Sequence, residues 1–439
     1  MNATDGQGPP PGMQGPPAGG ASCGPPPGWT GPPPPGPYAN AAEMLWKTVP
    51  PIIIVLGVFG NILTVLILLR HARKLSSTAI FLMALAFSDT LFLFNAPLRQ
   101  WIRAVWKTDV RWKSSLGCKF SIYLTYCSSQ FSSWLLVAVT VERFISIVRP
   151  HHVRIGCTSR LAGVIIVALF VLIYGLNTHI FYGFGRSNLP RYFGQGLCEA
   201  MYEEYYEFWT KVYSWIDLAV VFLVPFLILL VANSIIIYKL RQTRTIRRRL
   251  SIVKTRNEQT QAKDSKLVTV MLILLSVVFF VCLTPVSIFF VYRPYWMDKV
   301  NPTLCSDLYG FIAAHERIDF THAITNIIGY INAAFNFVLY VISGSKFRAE
   351  LKSLFLCQPG RGIGVFGGAT AGSVRRSTIT TQTASRSGSQ RSISSVNAEP
   401  MGTSMQQDGK EEVSESITNG IRFMVQIVRL CIGLLYQYL

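Results

Sequence analysis

The residues most able to do chemistry in this chain are polar groups set within long apolar runs. Asp89 lies in the stretch Leu85-Ala86-Phe87-Ser88-Asp89, where a charged side chain costs about 3 kcal/mol on insertion scales. Two readings of it are open. It is either a neutral acid hydrogen-bonded among helices or a cation site completed by oxygens of Ser132, Asn332 and Asn336. Oxygen ligation with a single carboxylate suits a hard ion such as Na+. Arg143 follows Glu142 at the end of another run. An arginine there can simply snorkel to the interface, or the adjacent Glu can hold it in an ion pair that is later released. A third group is acidic and aromatic: Glu199, Tyr202, Glu203, Glu204, Tyr205, Tyr206, Glu207 and Phe208, with Asp307, Glu316 and Asp319 further on. It reads as a solvated loop or as a mouth for a cationic ligand, whose guanidinium would meet carboxylates and aromatic faces. No catalytic constellation is visible, so the chain is not expected to be an enzyme. His151 and His152 are sequence neighbours, which do not face each other on a helix.

The elements that must position these groups follow from composition. Half of the 439 residues are apolar and only 14% are charged, too little charged surface for a soluble chain of this size. A formal charge of +19 would suit nucleic acid only on a soluble fold with a basic, aromatic face. Here the basic residues sit between apolar runs, which argues for a membrane and against nucleic acid. Seven runs, roughly 48–70, 77–101, 116–148, 161–183, 210–240, 265–292 and 318–343, approach the ~20 residues needed to cross a ~30 Å hydrocarbon core. The seventh is the least hydrophobic, being interrupted by Asn326, Asn332 and Asn336. Pro and Gly inside the runs are tolerated because neighbouring helices satisfy the freed backbone groups.

The expected fold is therefore an all-α membrane protein, with a seven-transmembrane helix bundle over residues 46–344. The Pro/Gly-rich residues 1–45 read as a disordered head, since they bury too little apolar area to offset ordering. Met1–Pro37 contains no apolar core of the signal-peptide kind. The apolar positions of Ser345–Phe355 recur at helical spacing, predicting a short amphipathic cytoplasmic helix over 345–357 with Cys357 placed for palmitoylation. Residues 358–439 read as a mostly disordered tail, although 421–439 is apolar with Arg422 and Arg429 inside and suits a membrane-surface or partner-binding helix. Arg70, Arg73 and Lys74, the many basic residues between Lys239 and Lys266, and Lys346, Arg348 and Lys352 fall on alternate loops. The positive-inside rule makes those loops cytoplasmic and the amino terminus extracellular, where Asn2-Ala3-Thr4 is a glycosylation acceptor at Asn2. The stretch from Arg99 to Lys113 runs against the rule, being basic yet on the outer side.

Six local patterns occur in order along residues 45–357. They are Gly60-Asn61, Leu85-Ala86-x-x-Asp89, Glu142-Arg143-Phe144, Pro225, Phe279-x-x-Cys282-x-x-Pro285 and Asn336-x-x-x-Tyr340. Together they resemble the signature positions of rhodopsin-like G-protein-coupled receptors. The resemblance implies a plasma-membrane receptor that promotes nucleotide exchange on a heterotrimeric G protein, and the Ser/Thr cluster from Ser377 to Ser395 in the tail, anionic once phosphorylated by receptor kinases, suits a cationic arrestin surface. The resemblance further implies that Glu142 holds Arg143 at rest and that Arg143 then meets the G protein. Phe144, Phe279, Pro285, Asn336 and Tyr340 would share in activation. Asp89, Ser132, Asn332 and Asn336 match the sodium-holding positions, no other cofactor being implied. Cys118 and Cys198 match the family's disulfide, and Trp112 its first outer-loop Trp. Cys23 and Cys305 are left as candidates for a second outer bridge.

Several positions depart from the pattern. Phe337 replaces the usual Pro of the seventh run, which restores a backbone donor and lessens the kink. Leu283 stands where many members carry a Trp, the fourth run lacks Trp, and Asn233 replaces a common Tyr. Thr125 occupies the position of the amine receptors' Asp, and Tyr330 that of the photopigments' Lys, so neither ligand class is expected. The chain is most similar to invertebrate neuropeptide receptors, including those for peptides ending in Arg-Phe-amide. That likeness implies a basic or amidated peptide bound by Thr125, Glu199, Glu203, Glu204, Glu207 and Tyr330. The alternatives are a receptor that is constitutively active or takes a non-peptide ligand and, from another class, a seven-helix transporter or channel. A transporter would tend to repeat its halves around broken helices, and no such repeat is seen.

Overall fold

The computed structural model describes residues 35–70, 76–148, 158–185, 198–249, 256–304, 306–343 and 345–356. Seven of its helical spans are long and apolar enough to cross a membrane. We label them α1 (Pro37–Arg70), α2 (Ser77–Trp106), α3 (Ser115–Val148), α4 (Ser159–Gly183), α5 (Glu203–Thr243), α6 (Arg256–Val300) and α7 (Leu308–Ser343), followed by a short α8 (Ser345–Phe355).

Side chains at several helix starts satisfy the orphan amides of the first turn. Ser76 Oγ accepts from the Ala79 amide at 3.3 Å, and Thr158 Oγ1 from the Leu161 amide at 3.2 Å. α2 is interrupted at Ala96, where Pro97 opens the continuation Pro97–Trp106. Proline suits that first position because its missing N–H is unpaired there in any case. α5 contains two π-helical turns, Phe208–Tyr213 and Leu218–Leu223, on either side of Asp217.

The bundle turns apolar side chains outward as well as inward. α1 exposes Ile52, Val55, Leu56, Phe59, Ile62 and Leu66, and α4 exposes Val164, Val167, Phe170, Val171 and Leu172. In water such a surface would drive association, whereas hydrocarbon accepts it. α4 is peripheral: within Ser159–Leu176 only Ala162 and Ile173 are buried. α1 and α7 approach closely where glycine allows it. A Cβ on Gly57 would lie 2.8 Å from Ala334 Cβ, and one on Gly60 2.6 Å from Phe337 Cβ. Asn61 then reaches across and donates to the Ala333 carbonyl at 3.4 Å.

At one end of the bundle a two-residue hairpin pairs β1 (Phe184–Gly185) with β2 (Glu199–Ala200), antiparallel, with Phe184 opposite Ala200. The Cys118–Cys198 disulfide ties this hairpin to the first turn of α3, with 5.5 Å between the α-carbons. At the other end α8 packs Phe347 against Phe337 and Tyr340 of α7, both rings at 5.8 Å.

The helices outrun their hydropathic cores. α1 begins at Pro37, within the segment read above as a disordered head. Ala39, Ala41 and Ala42 favour helix there, and α7 gives the turn a surface to pack on. Tyr38 meets Phe320 at 5.7 Å, and the Gly36 amide donates to Glu316 at 2.8 Å. α6 likewise continues to Val300, and α7 starts at Leu308. Hydropathy reports the length of helix inside hydrocarbon, not the length that neighbouring helices hold in register beyond it. Asn2, Cys23, Cys305, Cys357 and the tail lie outside the described residues, and with them the expectations placed there.

Candidate functional site

Two polar assemblies lie at opposite ends of the bundle, joined by a column of polar groups along its axis. At the end away from the disulfide, Ser77 and Thr78 open α2 beside Glu142 and Arg143 of α3. Ser77 Oγ donates to Glu142 Oε1, Thr78 Oγ1 donates to Glu142 Oε2 at 2.8 Å, and Arg143 Nη2 donates to Thr78 Oγ1. Thr78 thus carries hydrogen bonds to both members of the motif. Arg143 is only 9% exposed despite its charge. Glu142 is the expected partner of Arg143, and Thr78 joins them; its only signal in the sequence is the run of hydroxyls Ser76-Ser77-Thr78 at the start of an apolar helix.

The column begins with Tyr340, fully buried against Phe347. Asn336 Nδ2 donates to Asp89 Oδ2 at 2.5 Å, and Ser132 Oγ donates to Ser88 Oγ at 3.0 Å. Asp89, Ser132 and Asn332 all face the floor of the cavity described below. On the α5–α6 side, Phe279 stacks near-parallel on Phe222 with 6.3 Å between ring centroids. Asn233 donates to Ser276 Oγ at 2.9 Å, a link between α5 and α6. That contact supplies the physical reason for an Asn at this position, which sequence alone left without one.

Above the column a cavity of about 390 Å³ opens among α2, α3, α5, α6 and α7. Thr125 and Tyr330, both expected to meet ligand, line it. Thr125 accepts from Asn95 Nδ2 at 2.6 Å, and the Tyr330 ring meets Phe92 edge-on at 5.7 Å. The expected glutamates do not line it. Glu203, Glu204 and Glu207 sit exposed on the first turn of α5, and Glu207 pairs with Lys211 at 3.0 Å. Glu199 lies on β2, also outside the lining.

The charged groups that do line the cavity are Arg99, Arg103, Arg111 and Arg293, with Asp217 and Asp89. The cavity therefore carries the opposite charge from the mouth that the sequence suggested. Arg99 and Arg103 are four residues apart and share a helix face. Asp109, fully buried, anchors two of the four guanidiniums. Arg99 Nη1 donates to its Oδ2 at 2.9 Å, Arg111 Nη2 to the same oxygen at 2.7 Å, and Arg111 Nε to Oδ1 at 3.1 Å. Burial pushes the Asp109 carboxyl up, but hydrogen bonds from Arg111 and the charges of Arg99 and Arg111 outweigh it and hold the group at about 2. Asp217 is fixed from another side. Gln130 Nε2 donates to it at 2.8 Å, Asn177 Nδ2 donates to Gln130 Oε1 at 2.8 Å, and the Tyr213 hydroxyl donates to Asn177 Oδ1. In the sequence Asp217 is a lone acid in an apolar run with no pattern to single it out, and the basic Arg99–Lys113 stretch shows only as an exception to a topology rule.

Residues 60–340 match the family model for the 7 transmembrane receptor (rhodopsin family). The chain is 25% identical over 339 residues to C-C chemokine receptor type 3 of Macaca fascicularis, covering 74% of this chain and 85% of that protein. It is 24% identical over 316 residues to human hydroxycarboxylic acid receptor 2, covering 70% and 77% respectively. It is 25% identical over 333 residues to mouse neuromedin-U receptor 2, covering 73% and 77%.

Asp109 gives a prediction for stability. A carboxylate depressed in the folded state stabilises the fold above its unfolded value of about 3.9, and that contribution is lost as pH falls towards 2. Asp109→Asn leaves two guanidiniums without their anion, a change of the kind that costs roughly 3 kcal/mol or more. Thermal unfolding of the purified protein should show a lower midpoint for the variant at neutral pH. The gap to wild type should narrow below about pH 4, and a gap that does not change with pH contradicts the assignment.

Proposed function

The chain belongs to the rhodopsin family of seven-transmembrane receptors, and from that premise we propose that it is activated by an extracellular peptide and promotes nucleotide exchange on a heterotrimeric G protein. It is a multi-pass plasma-membrane receptor; the proposal adds the orientation, with the disulfide end outside and the Arg143 end facing the cytosol. The observation that carries this reading is the pairing of an open cavity at one end with a buried, held arginine at the other. A ligand that shifts the helices around the cavity changes the environment of Arg143 without touching it. Exchange of the Thr78 contact for another would let the guanidinium meet a G protein entering between the helices. Basic residues stand at the same end, Arg241 exposed and Lys239 half-buried, which agrees with the positive-inside rule.

The named relatives do not fix the ligand. Their names point to a chemokine, to neuromedin-U and to a hydroxycarboxylic acid. A peptide suits a cavity that opens to the outside at the disulfide end, where Tyr202 and Tyr206 at the start of α5 are exposed. The Arg-Phe-amide subtype fits poorly, because its cation would enter against Arg99, Arg103 and Arg111. Regulation by receptor kinases and arrestin, an N-linked glycan on Asn2 and a lipid on Cys357 belong to the same proposal.

A sodium ion at Asp89 is a further part of it. The donor set fits: one buried carboxylate with the hydroxyl of Ser132 and the amide oxygens of Asn332 and Asn336, all reached from the cavity floor or beside it. Oxygen donors with a single negative charge suit a hard monovalent cation. Asp89→Asn removes the charge while keeping the shape. Basal nucleotide exchange in membranes should fall with rising Na+ in the wild type and should not respond to Na+ in the variant. A wild type indifferent to Na+ sinks the site.

Arg143 tests the coupling itself. Arg143→Ala should reach the cell surface at close to wild-type levels yet show at least about a tenfold loss of nucleotide exchange, the factor that 1.4 kcal/mol of lost interaction gives. Exchange at the wild-type rate with matched surface expression contradicts the role assigned to it.

A further inference from the structure

The charge inside the cavity has a consequence for ligand chemistry. Arg99, Arg103, Arg111 and Arg293 line one space of about 390 Å³. The carboxylates beside them are Asp109, paired with Arg99 and Arg111, and Asp319, within electrostatic reach of Arg103 and Arg293. Asp89 and Asp217 are hydrogen-bonded instead to Asn336 and Gln130. One carboxylate, Asp109, thus serves both Arg99 and Arg111, and that pair keeps a positive charge with Asp109 ionised. The Arg99 and Arg111 side chains are only 14% and 20% exposed, so water solvates them poorly, and a poorly solvated cation calls for an anion. Asp109 supplies one anion to two of them and fixes their positions while doing so. Arg103 stands by them over the Trp112 ring, 5.8 Å from its centroid.

The remaining wall mixes polar and apolar side chains and includes the aromatic rings of Phe92, Trp209, Phe290 and Tyr330. An arginine fork matches a planar carboxylate in a bidentate manner, and several guanidiniums prealigned by a buried acid lose little further freedom on binding it. The exposed glutamates on the first turn of α5 do not compete, since water and salt screen charges placed there.

We propose that the cavity takes a ligand bearing a carboxylate next to an apolar or aromatic group, with the carboxylate seated on Arg99, Arg103 and Arg111. This rests on the receptor reading above and names the chemistry its ligand must carry. The carboxylate could come from a small organic acid or from the free end of a peptide, and the two sources separate experimentally.

The test uses the purified full chain in lipid nanodiscs and reads the unfolding midpoint against probe concentration. Benzoate is paired with benzamide for the small-acid source. N-acetylphenylalanine is paired with its amide for the peptide end. At least one acid of these pairs should raise the midpoint saturably while its amide does not. Benzoate alone, or N-acetylphenylalanine alone, assigns the source. Arg111→Gln should weaken the effective acid roughly tenfold or more, as losing hydrogen bonds to a charged group does. Because Arg111 also holds Asp109, the exposed Arg103→Gln serves as a second variant that leaves the Asp109 pairs intact, and it should weaken the same acid by several-fold. The proposal is overturned if neither acid shifts the midpoint, if an amide matches its acid, or if both variants bind the acid as wild type does. Phenyl phosphate stabilising more strongly than benzoate overturns the carboxylate assignment as well. The readout is binding alone, so its failure leaves the coupling role of Arg143 standing, and loss of coupling in Arg143→Ala leaves this result standing.

Discussion

A helix in hydrocarbon has no water to satisfy its polar side chains, so each of them must find a partner on another helix or at the bundle's ends. That constraint organises this molecule. Glu142 and Arg143 are met by Ser77 and Thr78, Asp89 by Asn336, and Asp217 by Gln130. Each bond crosses between helices and fixes how they sit against each other. The polar groups therefore form a line through an apolar bundle, and whatever disturbs one end changes which partners are available further along. Such coupling needs no large motion. It needs two sets of partners of similar energy, and interhelical hydrogen bonds of order 1 kcal/mol are small enough to exchange.

Charge is separated in the same economical way. The exposed first turn of α5 is acidic, whereas the cavity below it is basic. A long-range field at the rim and a short-range demand inside the cavity act on different parts of an incoming ligand. The rim affects how often an encounter succeeds, while the buried arginines decide what can stay, because an unmatched charge next to them is costly. Composition alone could not distinguish these roles, since Glu203 and Arg99 count equally in a sequence but differ in their access to water.

Much of the fold was legible because hydrocarbon thickness imposes a length, and seven runs of that length with motif residues in order leave little freedom. The helix ends were not legible. Pro37–Lys47 and Leu308–Arg317 are held by contacts between α1 and α7, and no local pattern announces a partner so far along the chain. The site was half legible. Asp89, Arg143, Thr125 and Tyr330 stood out because their types were unexpected at their positions. Thr78 and Asn233 did not, because their roles exist only through the helix that faces them. Arg99 and Arg111 carried a signal, a basic outer stretch that broke a topology rule, and Asp109 between them marked where their charge is answered.

The central claim is that the hydrogen bond Arg143 donates to Thr78, with Thr78 in turn bonded to Glu142, holds Arg143 in a resting arrangement, so that the end facing the G protein stays closed until partners exchange. Basal nucleotide exchange by Thr78→Ala in membranes, at matched surface expression and without ligand, tests it directly. Losing a hydrogen bond to a charged group, worth about 1.5 kcal/mol or more, should raise basal exchange by roughly tenfold over wild type. Basal exchange equal to wild type, or below it, would contradict the account.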